Sequence, residues 1–133
     1  NVLGILITHS HFDHIGALNE LISKYNAPVY CKENLEEKEY QIAKFKFSVI
    51  YTPGHTDDSI SFYFKEDNIM FTGDFLFKGT IGRTDLPTGN DKKMWESIKK
   101  IKMYHPHIRI FPGHGEDSTL EQEFMYNIYL QNR

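Results

Sequence analysis

An apolar run at residues 2–7 (VLGILI) leads directly into His9, His11, Asp13 and His14. No other feature restricts the fold of this chain as strongly. A continuous apolar run is the mark of a strand covered on both faces, whereas three imidazoles and a carboxylate within six positions have no role in hydrophobic packing. The pattern predicts a buried strand that ends at a chemical site. Imidazole nitrogen and carboxylate oxygen suit zinc and similar divalent ions. A tight turn after the strand directs alternate side chains at one point and the following two at a neighbouring point, so the spacing favours two metals over one.

Three later segments end in the same way. His55 follows Thr52, Pro53 and Gly54; Asp74 follows Thr72 and Gly73; His114 follows Pro112 and Gly113. Glycine tolerates backbone angles and close approaches that a Cβ forbids, which suits a crowded site. Between these points the sequence alternates element types. Ala17, Leu18, Leu21 and Ile22 lie at helical spacing in residues 16–25, and Pro28 ends that helix before a short strand at 29–31. Residues 34–39 are charged and read as a loop. Phe45, Phe47, Val49 and Tyr51 alternate as in a strand, and 59–64 with 69–72 form a hairpin around the turn at 65–68. Residues 75–90, with Gly79, Gly82, Pro87 and Gly89, read as a long ordered loop that shapes a substrate site. A helix over 92–104, a strand over 108–111 and a closing helix over 118–130 complete the reading.

At 133 residues, 40% of them hydrophobic, the chain is long enough for one core. A formal charge of -3 without a basic stripe argues against a nucleic-acid partner. The opening apolar run is far shorter than the roughly 20 residues of a membrane helix, so no membrane partner is expected. Cys31 is the single cysteine and reads as an unpaired strand residue, which fits a reducing, cytoplasmic setting. The chain begins at Asn1, almost on its first strand, and upstream sequence is expected to be missing.

The motif order H-x-H-x-D-H, T-P-G-H-T, F-T-G-D and P-G-H-G, spread over residues 3–115, resembles the metallo-β-lactamase superfamily. The resemblance implies an α/β fold, the αββα sandwich of that family without its N-terminal strands, in one domain spanning 1–133. It also implies that His9, His11 and His55 bind one metal, that Asp13, His14 and His114 bind a second, and that Asp74 bridges them. The metals are expected to be zinc, with iron or manganese also suited. Residues 72–77 and 82–87 resemble the small glyoxalase II-like thioesterases. The expected substrate is therefore a small thioester such as a hydroxyacyl-glutathione. Asp57 and Asp58 depart from the pattern, standing where many relatives have Pro-Gly.

Two cations about 3.5–4 Å apart lower the pKa of a shared water towards about 7 and supply hydroxide at neutral pH. That reading makes the chain a binuclear hydrolase needing no Ser or Cys nucleophile. Asp13 is the candidate catalytic residue, placed to accept a hydrogen bond from the attacking water as well as to ligate. Arg83 is the candidate contact for a substrate carboxylate, against the plainer reading of an ion pair with Asp85. Persulfide dioxygenation at a single iron is the nearest rival. β-Lactam and phosphodiester hydrolysis are more distant ones, since the first commonly places cysteine at the position of Asp74. A non-catalytic metal-binding fragment that pairs an open sheet edge, forming a homo-oligomer, is the alternative of a different class. His105 and His107 read as surface residues outside any motif, and Tyr126 and Tyr129 as helix packing.

Overall fold

The computed structural model describes residues 1–131. It opens with a strand, helix and strand unit: β1 (Ile5–Leu6), a single turn α1 (Phe12–Ile15), α2 (Leu18–Tyr25) and β2 (Val29–Tyr30). The two strands are parallel, with Ile5 opposite Val29. Asn26 closes α2 in the left-handed conformation, its N–H donating to the Ile22 carbonyl at 2.8 Å. Pro28 two residues on prevents the helix from continuing.

A six-stranded sheet follows. Its members are β3 (Glu39–Ile42), β4 (Phe45–Tyr51), β5 (Ile60–Phe64), β6 (Ile69–Gly73), then, after a two-stranded hairpin of β7 (Leu76–Phe77) and β8 (Thr80–Ile81) and the helix α3 (Asp91–Ile101), β9 (Arg109–Pro112) and β10 (Ser118–Thr119). The strand order is β10-β9-β6-β5-β4-β3, and α4 (Leu120–Tyr126) completes the element order. β6 and β9 are parallel, and the remaining pairs are antiparallel. Because β5 runs against both β4 and β6, the strands β4, β6 and β9 share one direction and finish at one edge of the sheet.

Alternation along the central strands divides the core in two. Ile50 of β4, Met70 of β6 and Ile110 of β9 pack with Met94, Ile98 and Ile101 of α3. Phe47 and Val49 of β4 turn the other way, with Ile60 and Phe62 of β5, and meet Leu6 and Tyr30 of the β1 and β2 pair. The sheet is thus covered by α3 on one face and by the small parallel pair on the other. Asn90 caps α3 by accepting from the Lys93 N–H at 2.9 Å. Among the described residues no helix is long and apolar enough to cross a membrane.

Several expectations shift. The apolar run at 2–7 is paired only at Ile5 and Leu6 and is half-buried, because β2 is its one sheet partner. β3 starts at Glu39, the last residue of the segment read as loop, and runs through residues given no strand reading: a turn with Ala43 at φ 52 folds it onto β4, and its Glu39 and Gln41 face solvent. The loop at 75–90 contains the β7 and β8 hairpin, and the closing helix spans only Leu120–Tyr126. In α2, Leu21 and Ile22 stay 38% and 36% exposed, so the apolar side of this helix is only partly covered.

Replacing Ile98, which is fully buried between α3 and the sheet, with alanine should lower the unfolding free energy by about 2–5 kcal/mol. The change would appear as a lower urea midpoint at an unchanged slope. Lys99→Ala, on the exposed side of the same helix, should stay within about 0.5 kcal/mol of the parent.

Candidate metal centre

The shared direction of β4, β6 and β9 brings their following residues together, and those residues are His55, Asp74 and His114. Two backbone bonds lock the arrangement. The Gly113 N–H donates to the Gly73 carbonyl at 2.7 Å, joining the segments that carry His114 and Asp74. The Ile60 N–H donates to the Thr8 carbonyl at 2.9 Å, which holds the end of the opening apolar run against the start of β5. His9 and His11 emerge there, and Asp13 and His14 follow on α1.

All seven side chains meet. Asp74 Oδ2 lies 3.5 Å from His9 Nε2, 3.2 Å from His14 Nε2, 3.4 Å from His55 Nε2 and 3.3 Å from His114 Nε2. Asp13 Oδ2 lies 3.0 Å from His114 Nε2 and 3.5 Å from His14 Nε2. His55 Nε2 and His11 Nδ1 are 3.2 Å apart. The donors fall into two groups able to hold an ion, His9 with His11 and His55, and Asp13 with His14, Asp74 and His114. The first group is largely buried, while Asp13 and His114 of the second are open to solvent.

Orientation comes from groups outside this set. The Arg83 carbonyl accepts a hydrogen bond from His55 Nδ1 at 2.8 Å. A carbonyl only accepts, so Nδ1 carries the proton and a neutral His55 keeps its Nε2 lone pair for the centre. Thr8 Oγ1 lies 3.2 Å from His9 Nδ1 and plays a similar part. Burial lowers His55 below the ordinary imidazole value despite the Arg83 bond and the Asp74 charge. Burial and the neighbouring His9 ring likewise lower His14 against the pull of Asp74 and Asp13. For Asp74, burial alone would raise the carboxyl, but the close His9 ring and the charges of His14 and His114 outweigh it and hold it below the usual carboxylate value. These effects thus favour neutral His14 and His55 beside an ionised Asp74, the protonation state that suits metal binding.

Two observations fit a cation here. His9 Nε2, His14 Nε2 and Asp74 Oδ1 are buried without a hydrogen-bond partner, and each such group left unmet costs about 1–3 kcal/mol. A divalent ion would satisfy lone pairs on all three residues. The packing also leaves no spare room: a Cβ on Gly113 would sit 2.5 Å from His14 Cε1 and 2.6 Å from Asp74 Oδ1. Gly54 answers to a different neighbour, since a Cβ there would meet the Met94 backbone of α3 at 2.6 Å. The glycine before His55 lets a helix approach, whereas the one before His114 makes room for the ligands themselves.

A cavity of about 440 Å³ opens above His11, His55, Asp74 and His114, walled by Phe77, Ile81 and Leu86. Arg83 lies on its lining, but its guanidinium is bidentate with Asp85 at 2.7 and 2.8 Å. Asp57 is exposed. Asp58 turns inward and accepts from Thr56 Oγ1 at 2.7 Å. Burial would raise its carboxyl, yet hydrogen bonds from Ser10 and Thr56 and the charge of His9 hold it below the usual value. His105 and His107 are exposed and belong to neither donor group. Tyr129 packs beside Trp95 with ring centroids 6.3 Å apart, while Tyr126 is exposed. The groups that sequence reasoning missed are the orienting ones, Thr8 and the Arg83 carbonyl. A threonine beside a ligand is a faint signal, and a backbone carbonyl gives none.

The sequence profile described as "Metallo-beta-lactamase superfamily" matches residues 1–45 and 34–114. "Probable metallo-hydrolase YqgX" of Bacillus subtilis (strain 168) is 33% identical over 159 residues, covering 96% of this chain and 75% of that protein. "Hydroxyacylglutathione hydrolase GloC" of Haemophilus influenzae is 32% identical over 165 residues, covering 100% of this chain and 78% of the relative. Among solved structures, "BLEG-1 B3 metallo-beta-lactamase" superposes with a TM-score of 0.93 at 33% identity, over 98% of this chain and 78% of that one. "TTHA1623 in a di-iron-bound form" gives 0.89 at 32% identity, over the same shares. The α/β architecture, the four ordered motifs and these likenesses agree, and the chain belongs to the metallo-β-lactamase superfamily.

Proposed function

We propose that this chain is a binuclear metallohydrolase that cleaves a small thioester, releasing a carboxylic acid and a thiol. The observation that carries the reading is Asp74 Oδ2 lying between ring nitrogens of His9, His14, His55 and His114, within reach of histidines from both donor groups. His9, His11 and His55 would hold one ion, Asp13, His14 and His114 the other, with Asp74 common to both. When bound, such ions polarise a carbonyl and make hydroxide available at neutral pH.

The remaining work falls to the chain. Asp13 is exposed to the cavity and 3.0 Å from His114 Nε2, so its carboxylate can take a hydrogen bond from the attacking water and orient it. Phe77, Ile81 and Leu86 offer an apolar wall to an acyl group or a thiol tail and exclude water from it. Arg83 would meet a substrate carboxylate only by exchanging its Asp85 partner. The likeness to a relative named hydroxyacylglutathione hydrolase supports the thioester as substrate class. The likeness to BLEG-1 supports a second reading, hydrolysis of a β-lactam amide in the same cavity.

Protein purified without chelator should carry close to two equivalents of metal per chain by elemental analysis, chiefly zinc. It should hydrolyse an acyl-glutathione series faster than a chromogenic cephalosporin. The reverse preference would select the β-lactam reading, and about one equivalent of iron with persulfide oxidation would replace both. Asp13→Ala should lower kcat by about 10²-fold or more while leaving the unfolding midpoint nearly unchanged, within the range expected for a general acid or base. Gly113→Ala should reduce metal content below one equivalent without unfolding the chain, since its methyl would occupy the space of His14 and Asp74.

A further inference from the structure

Outside the metal centre, Glu123 of α4 is the one fully buried carboxylate among the described residues, 1% exposed. None of its three hydrogen-bond donors is a cation. Oε1 accepts from the Gly79 N–H at 2.8 Å and from Asn127 Nδ2 at 2.9 Å, and Oε2 accepts from Ser118 Oγ at 2.5 Å. Burying a carboxylate among neutral donors is costly, so what those donors hold in place matters.

Two of the contacts end on the same object. Gly79 lies at the tip of the β7 and β8 hairpin with φ +83, and Asn127 Nδ2 also donates to the Thr80 carbonyl at 3.0 Å. Glu123 and Asn127 therefore hold Gly79 of the turn and Thr80, the first residue of β8, from behind. The hairpin has only two residues per strand, too few to hold its own shape in water. Its base is anchored by the buried Phe75 and Leu76, whereas Lys78, Gly79 and Thr80 are exposed. Apart from this grip the tip is held only by the Phe77 and Thr80 strand pair and by the exposed ion pair of Lys78 with Glu116 at 3.0 Å, which is worth little in water.

The hairpin begins two residues after Asp74, at Leu76, and returns at Gly82 and Arg83. The Gly82 N–H donates to the Phe75 carbonyl at 3.1 Å, and the Arg83 carbonyl then accepts from His55 Nδ1. Phe77, Thr80 and Ile81 line the cavity. We infer that Glu123 is a positioning residue: its buried carboxylate clamps the hairpin tip and so sets the cavity wall and, through the Arg83 carbonyl, the plane of the His55 ring. The turnover consequence rests on the proposed hydrolytic reading, while the clamp itself does not.

The test compares Glu123→Gln, Glu123→Ala and Asn127→Ala in metal-loaded protein, by amide hydrogen exchange over residues 77–83, metal content, and KM and kcat on an acyl-glutathione. The glutamine carbonyl keeps the Gly79 and Asn127 bonds, and the Ser118 hydroxyl can turn to accept from the amide, so Glu123→Gln should match the parent in exchange and stay within about twofold in KM. Glu123→Ala should speed exchange at the tip by about tenfold and raise KM by a similar factor with a smaller change in kcat. Asn127→Ala, which keeps the carboxylate, should move both in the same direction by about threefold and decides the matter if Glu123→Ala fails to fold. Unchanged exchange at the tip in the alanine variants, or Glu123→Gln behaving like Glu123→Ala, would overturn the inference. A parent protein that cleaves no thioester would sink the thioester reading alone, because the exchange comparison still tests the clamp.

Discussion

A single carboxylate oxygen, Asp74 Oδ2, sits within 3.2–3.5 Å of ring nitrogens on four histidines from three separate stretches of chain. Everything else around it serves to make that crowding possible. Buried imidazoles and a carboxylate with unmet lone pairs oppose folding on their own. A bound divalent cation would turn the same arrangement into a favourable one by meeting those lone pairs with positive charge. Metal binding and the packing of the strand ends are therefore expected to be coupled, and Gly113, where a Cβ would meet His14 and Asp74, lies at the same point.

The convergence follows from strand direction. β4, β6 and β9 run alike and release their chains at one edge, the place where sheets of mixed α/β folds usually bind their ligands. The first group of donors lies deep, and the second opens to solvent through Asp13 and His114. That asymmetry gives a substrate one side from which to approach. The wall on that side is the β7 and β8 hairpin, which the chain inserts soon after Asp74. Its position is shared between the core beneath Phe75 and Leu76 and the grip of α4 on its tip.

The order of the candidate ligands was legible because side-chain identity is local information. His9, His11, Asp13, His14, His55, Asp74 and His114 are recognisable by type, spacing and adjoining glycines, and alternation at 45–51 and 59–72 marked the strands that carry two of them. Less was legible where tertiary partners decide. The run at 2–7 reads as a fully buried strand, yet β1 has one neighbour and stays half-buried. Residues 39–42 carry no strong strand pattern, and a tight turn at Ala43 recruits them as an edge.

The sequence by itself determined which atoms could bind metal, in what order, and that strands would deliver them. Tertiary structure alone decided how those atoms are aimed. It paired the Arg83 guanidinium with Asp85 and gave the Arg83 carbonyl to His55, and it buried Glu123 beneath a hairpin tip 44 residues away in the chain. The reason is physical: every residue carries the same backbone donor and acceptor, so their use leaves no mark in the sequence and is fixed only when distant segments pack together.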